Sequence, residues 1–384
     1  MKRARAAGAA GAGGSWPEAG AVRRAKRAVR TRLVPWFRGA ARVLPWRREP
    51  RSGYAVWVSE IMLQQTRVET VVPYFEQFMR DYPTVRALAA APLDGVLKHW
   101  EGLGYYTRAR NLHRAAQIVA ERHGGEVPGE ADALRALPGL GDYTVAAIGS
   151  FAFGLPLAVL DGNVMRVLAR LFALDWDIAK PASRAKLQSL ADALLAREAP
   201  GACNEAWMEL GAMVCKPKGA ACGECPLAGI CAARAEGGVE RYPVRGGAKA
   251  VPHKVAGAAI VRDGKGGVLV VRRPPEAGGL LAGLWQLPAA EAAGTGAEAL
   301  REAAERAAEA AGVRGGRAVG EEEALVRHAF SHFTLETHAF SVEFDGKPPR
   351  GAAGKRAFAR RETLGRFAFG KTDLTILRQI GIAE

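Results

Sequence analysis

Between residues 31 and 232, apolar side chains recur at three- and four-residue spacing, and no stretch before residue 250 alternates with a period of two. The segments "VWVSEIMLQQTRVETVVPYFEQFM" (56–79), "LKHWEGLGYYTRARNLHRAAQIVAERHG" (97–124) and "SRAKLQSLADALLAREA" (183–199) carry this spacing, which predicts amphipathic helices. Gly or Pro closes most of these runs. A stretch rich in Gly, Pro and charge, 236–254, reads as a linker, and beyond it the period changes to two. There "VAGAAIVRDGKGGVLVVRR" (255–273) predicts a hairpin around a Gly-rich turn, and "HAFSHFTLETHAFSVEF" (328–344) alternates likewise. Between them "GAEALREAAERAAEAAG" (296–312) predicts a helix. The expected organisation is an all-α domain over 31–235, the linker, and an α+β domain over 255–372. Residues 1–30, made largely of Ala, Gly and Arg, predict a disordered basic arm.

A chain of 384 residues can bury two ordinary cores. No apolar run is long enough to cross a bilayer, and the basic N-terminus has no apolar stretch after it that would make a secretory signal. Five cysteines, four of them clustered, suit a reducing cytoplasm better than a disulfide framework. The formal charge of +15 invites a nucleic-acid reading, but its distribution weakens that inference. Residues 1–48 carry thirteen Lys and Arg against one acid, whereas residues 49–245 carry 21 basic and 22 acidic side chains.

Three short motifs carry candidate chemistry. Cys215, Cys222, Cys225 and Cys231 fall within seventeen residues. Thiolates repel one another unless a cation neutralises them, so the set suits either structural zinc or a [4Fe–4S] cube, whose size accepts uneven loops. Between the first two cysteines, "KPKGAA" sets Lys216 and Lys218 on a loop that metal bonds would pin at both ends, ready to meet phosphates or merely to be solvated. Upstream, "LPGLGDYTVAAIGSFAF" (137–153) places Gly139 and Gly141 in a tight turn feeding a helix, an arrangement open to a DNA phosphate. In "LAVLDGNVMRVLARLF" (157–172), Asp161 reads as a helix cap or a catalytic carboxylate. Glu60, flanked by Val58, Ile61, Met62 and Leu63, lies either on a narrow polar stripe or half-buried, where its pKa would rise.

"LPGLG", "LDGNVMRVLAR" and the Cys-x6-Cys-x2-Cys-x5-Cys spacing together resemble the helix-hairpin-helix DNA glycosylases that carry an iron–sulfur cluster. "PWR", "VWVSEIMLQQTRV", "GLGYYTRARNLH" and "NEAWMELGAMVC" narrow the resemblance to the adenine DNA glycosylases, which remove adenine mispaired with 8-oxoguanine. The resemblance implies an all-helical helix-hairpin-helix domain with a [4Fe–4S] cluster on the four cysteines. It also implies a monomer that acts on double-stranded DNA holding A:8-oxoguanine or A:G mispairs. Glu60 would be the acid that protonates adenine, and Asp161 would steady the cationic sugar. Tyr143 and Asn163 would orient them, while Trp46, Arg47, Glu205 and Met208 would form the adenine pocket. The nucleotide must leave the stack to reach such a site. Gln65 and Tyr105 match the family's wedge residues, with Leu63 beside the site. In the related endonuclease III branch a lysine follows the hairpin and attacks the sugar. This chain has Tyr143 there, and a phenol forms no Schiff base, so the resemblance implies base removal without strand cleavage.

Residues 251–370 resemble the Nudix-like domain that reads 8-oxoguanine in this family, with Phe330, Ser331 and His332 matching the loop that meets the lesion. The helix at 296–312 has Glu302, Glu305 and Glu309 but lacks the adjacent Glu pair of a Mg²⁺-dependent Nudix hydrolase. This half is expected to recognise and not to hydrolyse.

Overall fold

The computed structural model describes residues 15–247, 251–274, 279–330, 332–345 and 355–383. Its described residues form two compact units, one from 1–60 with 126–248 and the other from 61–125 with 249–384. This grouping by contacts differs from the division read from periodicity, which placed 61–125 with the other helices. The helices of 61–125 share a unit with the strands, because hydrogen bonds at long separation tie them there: Tyr106 Oη donates to Phe369 O at 2.8 Å and Arg110 Nη1 to Ala282 O at 2.6 Å.

The first unit opens with α1 (Ala19–Ala28), a wide π turn (Val29–Leu33) and α2 (Val34–Ala40). Helix α3 (Gly53–Leu63) carries the chain across the boundary at residue 60. In the second unit, α4 (Val68–Asp81), α5 (Val85–Ala90), α6 (Leu93–His99) and α7 (Thr107–Arg122) follow. The chain then returns to the first unit with α8 (Ala131–Arg135), α9 (Asp142–Phe153), α10 (Gly162–Leu171), α11 (Pro181–Leu194), α12 (Pro200–Glu209) and the short α13 (Ala232–Ala235). The helical runs read from the sequence are therefore present, but two of them are broken. The break in 56–79 comes at Gln65 and that in 97–124 at Gly102–Tyr105, where the backbone turns left-handed.

Residues 19–30 are not a solvated arm. Ala25, Ala28 and Val29 sit in the core with Leu33, Trp176 and Leu187, while Arg23, Arg24, Lys26 and Arg27 stay exposed. A few small apolar side chains suffice because helical spacing puts them on one face. The rest of the expected arm, residues 1–14, lies outside the described residues. The expected linker is also partly structured: Tyr242 O accepts from Arg170 Nε and Val244 O from Ile178 N, so residues 239–244 belong to the first unit.

The strand-bearing part contains β1 (His253–Ile260), β2 (Val268–Arg272), β3 (Trp285–Gln286), β4 (Ala289–Glu291), α14 (Ala297–Ala310), β5 (Arg317–Ala329), β6 (Thr334–Glu343), β7 (Arg356–Ala359) and α15 (Lys371–Gln379). The last helix carries this unit beyond the expected limit at 372. Two sheets run in the orders β4-β1-β6-β5 and β3-β2-β7. The predicted hairpin of 255–273 closes at its Gly-rich turn, where Arg262 bridges Val268 antiparallel, Leu269 N donates to Val261 O and Asp263 N to Gly267 O. Its longer arms diverge into two sheets: β1 pairs with β4 and, in parallel, with β6, and β2 with β3 and β7. A strand hydrogen-bonded on both edges has no edge left for its chain neighbour. The alternating run at 328–344 is likewise interrupted, since Phe330 N donates to Phe333 O in a turn between β5 and β6.

Packing of the first helices generates a direct test. Val29→Ala removes two buried methyl groups and is expected to lower stability by about 2 kcal/mol in chemical denaturation. A change within about 0.5 kcal/mol, usual for solvated positions, would show that the segment does not pack.

Candidate active site

Helix α3 reads "GYAVWVSEIML", and its residues 56–62 are all buried. Glu60 lies among these buried positions and is only 4% exposed. Of the two readings left open by the sequence, burial is the one the fold selects. Tyr143, the second residue of α9, donates its hydroxyl to Glu60 Oε2 at 2.8 Å. Loss of hydration pushes the Glu60 carboxyl up to about 7; the Tyr143 bond and Arg47 oppose this, while the charges of Asp161 and Glu205 add to it. Burial likewise drives the Tyr143 phenol well above its usual range, helped by both nearby carboxylates. The phenol therefore stays a donor.

Asp161 is both a helix cap and a member of this group. It is the N-cap of α10, its Oδ1 accepting from Val164 N at 2.7 Å and its Oδ2 from Asn163 Nδ2 at 2.9 Å. Burial raises its pKa, against the lowering effect of these donors and of Arg166. Arg166 Nη2 donates to Asn163 Oδ1 at 2.8 Å, which settles which way the amide points. Two residues given no role from the sequence support this turn. Asn204 holds the segment that leads into α10, its side chain bonding Val159 N, Leu157 O and Ser150 Oγ. Gly211 lies so close that a Cβ there would sit 2.6 Å from Asn163 Cβ and 3.1 Å from its Cα. Both lie in "NEAWMELGAMVC", so their motif was legible but not their task.

Of the residues assigned to the adenine pocket, Arg47 and Glu205 are brought together in an ion network. Trp46 is buried in a short 3-10 turn, Pro45–Arg47, and Met208 packs against the core. Arg47 bonds Glu205 Oε1 at 2.7 Å and Glu209 Oε2 at 3.0 Å. Arg51 reaches Glu205 at 2.8 Å and Arg42 reaches Glu209 at 2.7 Å. Arg42, Arg51 and Glu209 carried no signal beyond proximity to these motifs. Buried carboxylates need such partners, and the charges of Glu205 and Arg47 bear on Glu60.

The hairpin and the cysteine loop lie in the same unit. Gly139 has φ +84°, a turn open to glycine, and Gly141 precedes α9, whose N-terminus has no side-chain cap among the described residues. Both glycines are exposed. Cys215, Cys222, Cys225 and Cys231 line one small cavity with Arg170 and Val214. The thiols surround this cavity, and among the described residues no three His, Cys, Asp or Glu side chains are grouped as a single metal ion requires. Arg170, almost fully buried, lies 3.4 Å from Cys215 Sγ and donates to Lys216 O at 2.6 Å and Pro217 O at 3.0 Å. The loop is thus held from inside while Lys216 and Lys218 are exposed.

In the second unit, Leu63 ends α3 half-buried, and Gln65 is exposed with φ +60°. Tyr105 has φ +49°, so both expected wedge residues occupy the strained left-handed region. Arg108, unnoticed in the sequence, joins their loops. Its guanidinium donates to the carbonyls of Ile61, Met62, Gln64, Leu103 and Gly104 at 2.7–3.0 Å, and it lies 5.6 Å from the Tyr105 ring centre. At the β5–β6 turn, Phe330 stacks on Phe333 at 4.6 Å and His332 is exposed; Ser331 lies outside the described residues.

A helical unit with a glycine hairpin and a cysteine loop, joined to a two-sheet domain, defines a base-excision glycosylase carrying a Nudix-type module. The family described as HhH-GPD superfamily base excision DNA repair protein matches residues 58–193, and the NUDIX domain family matches residues 257–379. The adenine DNA glycosylase of Homo sapiens is 35% identical over 84% of this chain and 68% of its own, and that of Rattus norvegicus 34% over 84% and 72%. The chain belongs to the adenine DNA glycosylase family. Among solved structures, a thermostable thymine-DNA glycosylase superposes with a TM-score of 0.52 and 26% identity over 56% of this chain and 99% of its own.

Gly211→Ala tests the tight contact at Asn163. Displacing that side chain is expected to slow adenine release by about tenfold to a hundredfold in single-turnover assays. An unchanged rate would show that the first turn of α10 absorbs the methyl without moving the site.

Proposed function

We propose that this glycosylase removes adenine paired with 8-oxoguanine or guanine from double-stranded DNA, and leaves an abasic site without cutting the strand. The observation that carries this reading is the enclosed Glu60 carboxyl at about pKa 7, bonded to Tyr143 and within electrostatic reach of Asp161. Two carboxyl groups in unlike surroundings can divide acid and stabilising roles. With the nucleotide rotated out of the stack, Glu60 gives its proton to adenine N7. The C1′–N9 bond breaks, and its electron pair leaves with neutral adenine. Asp161, whose carboxylate accepts from Val164 N and Asn163 Nδ2, faces the cationic sugar until water adds at C1′ and returns a proton to Glu60. Trp46, Arg47, Glu205 and Met208 form the wall that receives the base. Tyr143 offers no amine, which favours release without backbone cleavage.

The four cysteines suit one [4Fe–4S] cluster: four thiols around a common cavity, with a buried guanidinium against the negative charge of a thiolate-bound cube. The group would brace this loop when bound, and Lys216 and Lys218 would meet phosphates together with the amides at Gly139 and Gly141. In the second unit Gln65 and Tyr105 fill the gap left by the rotated nucleotide, beside Leu63. A cavity of about 240 Å³ lined by Tyr105, His328, Phe330 and Lys371 supports a reading of the oxidised guanine at this end. Glu305 is engaged by Arg317 and Ala318 N, and Glu302 by Arg306, which favours recognition over hydrolysis in this module. No helix among the described residues is long and apolar enough to cross a membrane. We place the protein as a monomer on DNA in the cytoplasm.

Duplexes with adenine opposite 8-oxoguanine, guanine or thymine, treated with and without hot alkali, test this reading. Breaks are expected only after alkali and only at the two mispairs; breaks without alkali would refute strand-sparing chemistry. Asp161→Asn is expected to lower release about a thousandfold while binding persists. Because Glu60 must hold its proton, the rate should be level below about pH 7 and fall about tenfold per unit above it. A profile still rising through pH 8 would remove Glu60 as the acid.

A further inference from the structure

Tyr105 rides on a turn that its own sequence does not favour. Between α6 and α7 the chain passes Gly102 at φ +100°, Gly104 at φ +69° and Tyr105 at φ +49°. A left-handed tyrosine costs about 1–2 kcal/mol, so its surroundings must impose the conformation. Arg108 holds one side of the turn through the carbonyls of Leu103 and Gly104.

The other side is held by the strand-bearing part of the same unit. Glu101 Oε1 accepts from Phe369 N at 2.8 Å, and Tyr106 Oη donates to Phe369 O at 2.8 Å. Both backbone groups of one residue are therefore bonded to the side chains that flank the turn. Lys98 Nζ adds a bond to Phe367 O at 3.1 Å while paired with Glu101 Oε2 at 2.6 Å. These bonds are shielded, since Tyr106 is 3% and Phe369 0% exposed. The 367–369 segment is anchored in turn, with Trp285 N donating to Ala368 O and the Trp285 ring edge-on to Phe367 at 4.9 Å. It runs directly into Gly370–Thr372, which lines the same cavity as His328, Ala329, Phe330 and the turn at 102–106.

We infer that Glu101 and Tyr106 are positioning residues through which the Nudix-type module sets the wedge Tyr105. The base opposite adenine, seated against this module, thereby controls whether the wedge is placed for insertion. Preference for the oxidised guanine then arises from coupling as well as from contact with the lesion. This rests on the reading above that the module recognises 8-oxoguanine. A shared, buried segment offers a physical route for such coupling, whose usual size is about 5- to 150-fold.

The test uses the full-length protein with Tyr106→Phe, which deletes one hydroxyl, and Glu101→Ala, each checked for folding by thermal denaturation. Single-turnover adenine release is measured opposite 8-oxoguanine and opposite guanine, with 2-aminopurine fluorescence beside the mispair reporting wedge insertion. Each variant is expected to lower the ratio of the two rates about five- to tenfold, with the rate opposite guanine within about twofold of wild type. The fluorescence change on binding 8-oxoguanine duplex should shrink in parallel. The double variant should lose little more than the larger single, because both side chains hold one residue. Equal slowing of both rates, or an unchanged ratio and fluorescence signal, would overturn the inference alone. Lack of any preference in the wild-type protein would overturn the reading of the module and this inference with it.

Discussion

The enclosure of one carboxyl group governs the first unit. Glu60 occupies a helix whose residues 56–62 are all buried, and the cost of leaving it charged without water holds its proton near neutral pH. The neighbours follow from that constraint. Tyr143 must remain a donor toward it, and its own burial keeps it one. The charges of Glu205 and Glu209 must be balanced, and Arg42, Arg47 and Arg51 balance them. Asp161, by contrast, is ringed by donors. Burial raises both carboxyl groups, and at Asp161 the donors and Arg166 oppose it, as Tyr143 and Arg47 do at Glu60.

Guanidinium groups do much of the positioning that regular structure does elsewhere. Arg108 gathers five carbonyls from two turns, and Arg166 and Arg170, one helical turn apart on α10, reach the residues around Cys215. A planar fork with five donors can satisfy several loop carbonyls at once, which a lysine cannot. Arg166 also orients Asn163, so the helix that carries Asp161 is braced against the cysteine loop by its own side chains. This gives the loop a mechanical tie to the site in the protein alone, whatever the loop holds.

Much of the candidate site was legible because its signals are local. The glycine hairpin, the aspartate before α10 and the cysteine spacing are each contained in a few residues. Other features left no local trace. The arm at 19–30 looked solvated because its apolar residues are small and few, yet Ala25, Ala28 and Val29 share one face. The hairpin at 255–273 was a sound reading of alternation, but pairing depends on which strands claim each edge, and β6 lies some seventy residues onward. Arg108 and Glu101 read as ordinary charged helix residues. Their partners are carbonyls and an amide, which no side-chain pattern reveals.

By itself the sequence determined where most helices and strands lie, though not the helix at 19–28 or the breaks within the longer runs, and which thiols and carboxylates stand near motifs of this family, since period and spacing are properties of short segments. The tertiary structure alone decided that Glu60 is enclosed, that residues 61–125 join the strand-bearing unit, and that Phe369 meets the turn bearing Tyr105. Burial and electrostatics depend on the whole surroundings of an atom, and those surroundings are assembled from residues far apart in the chain.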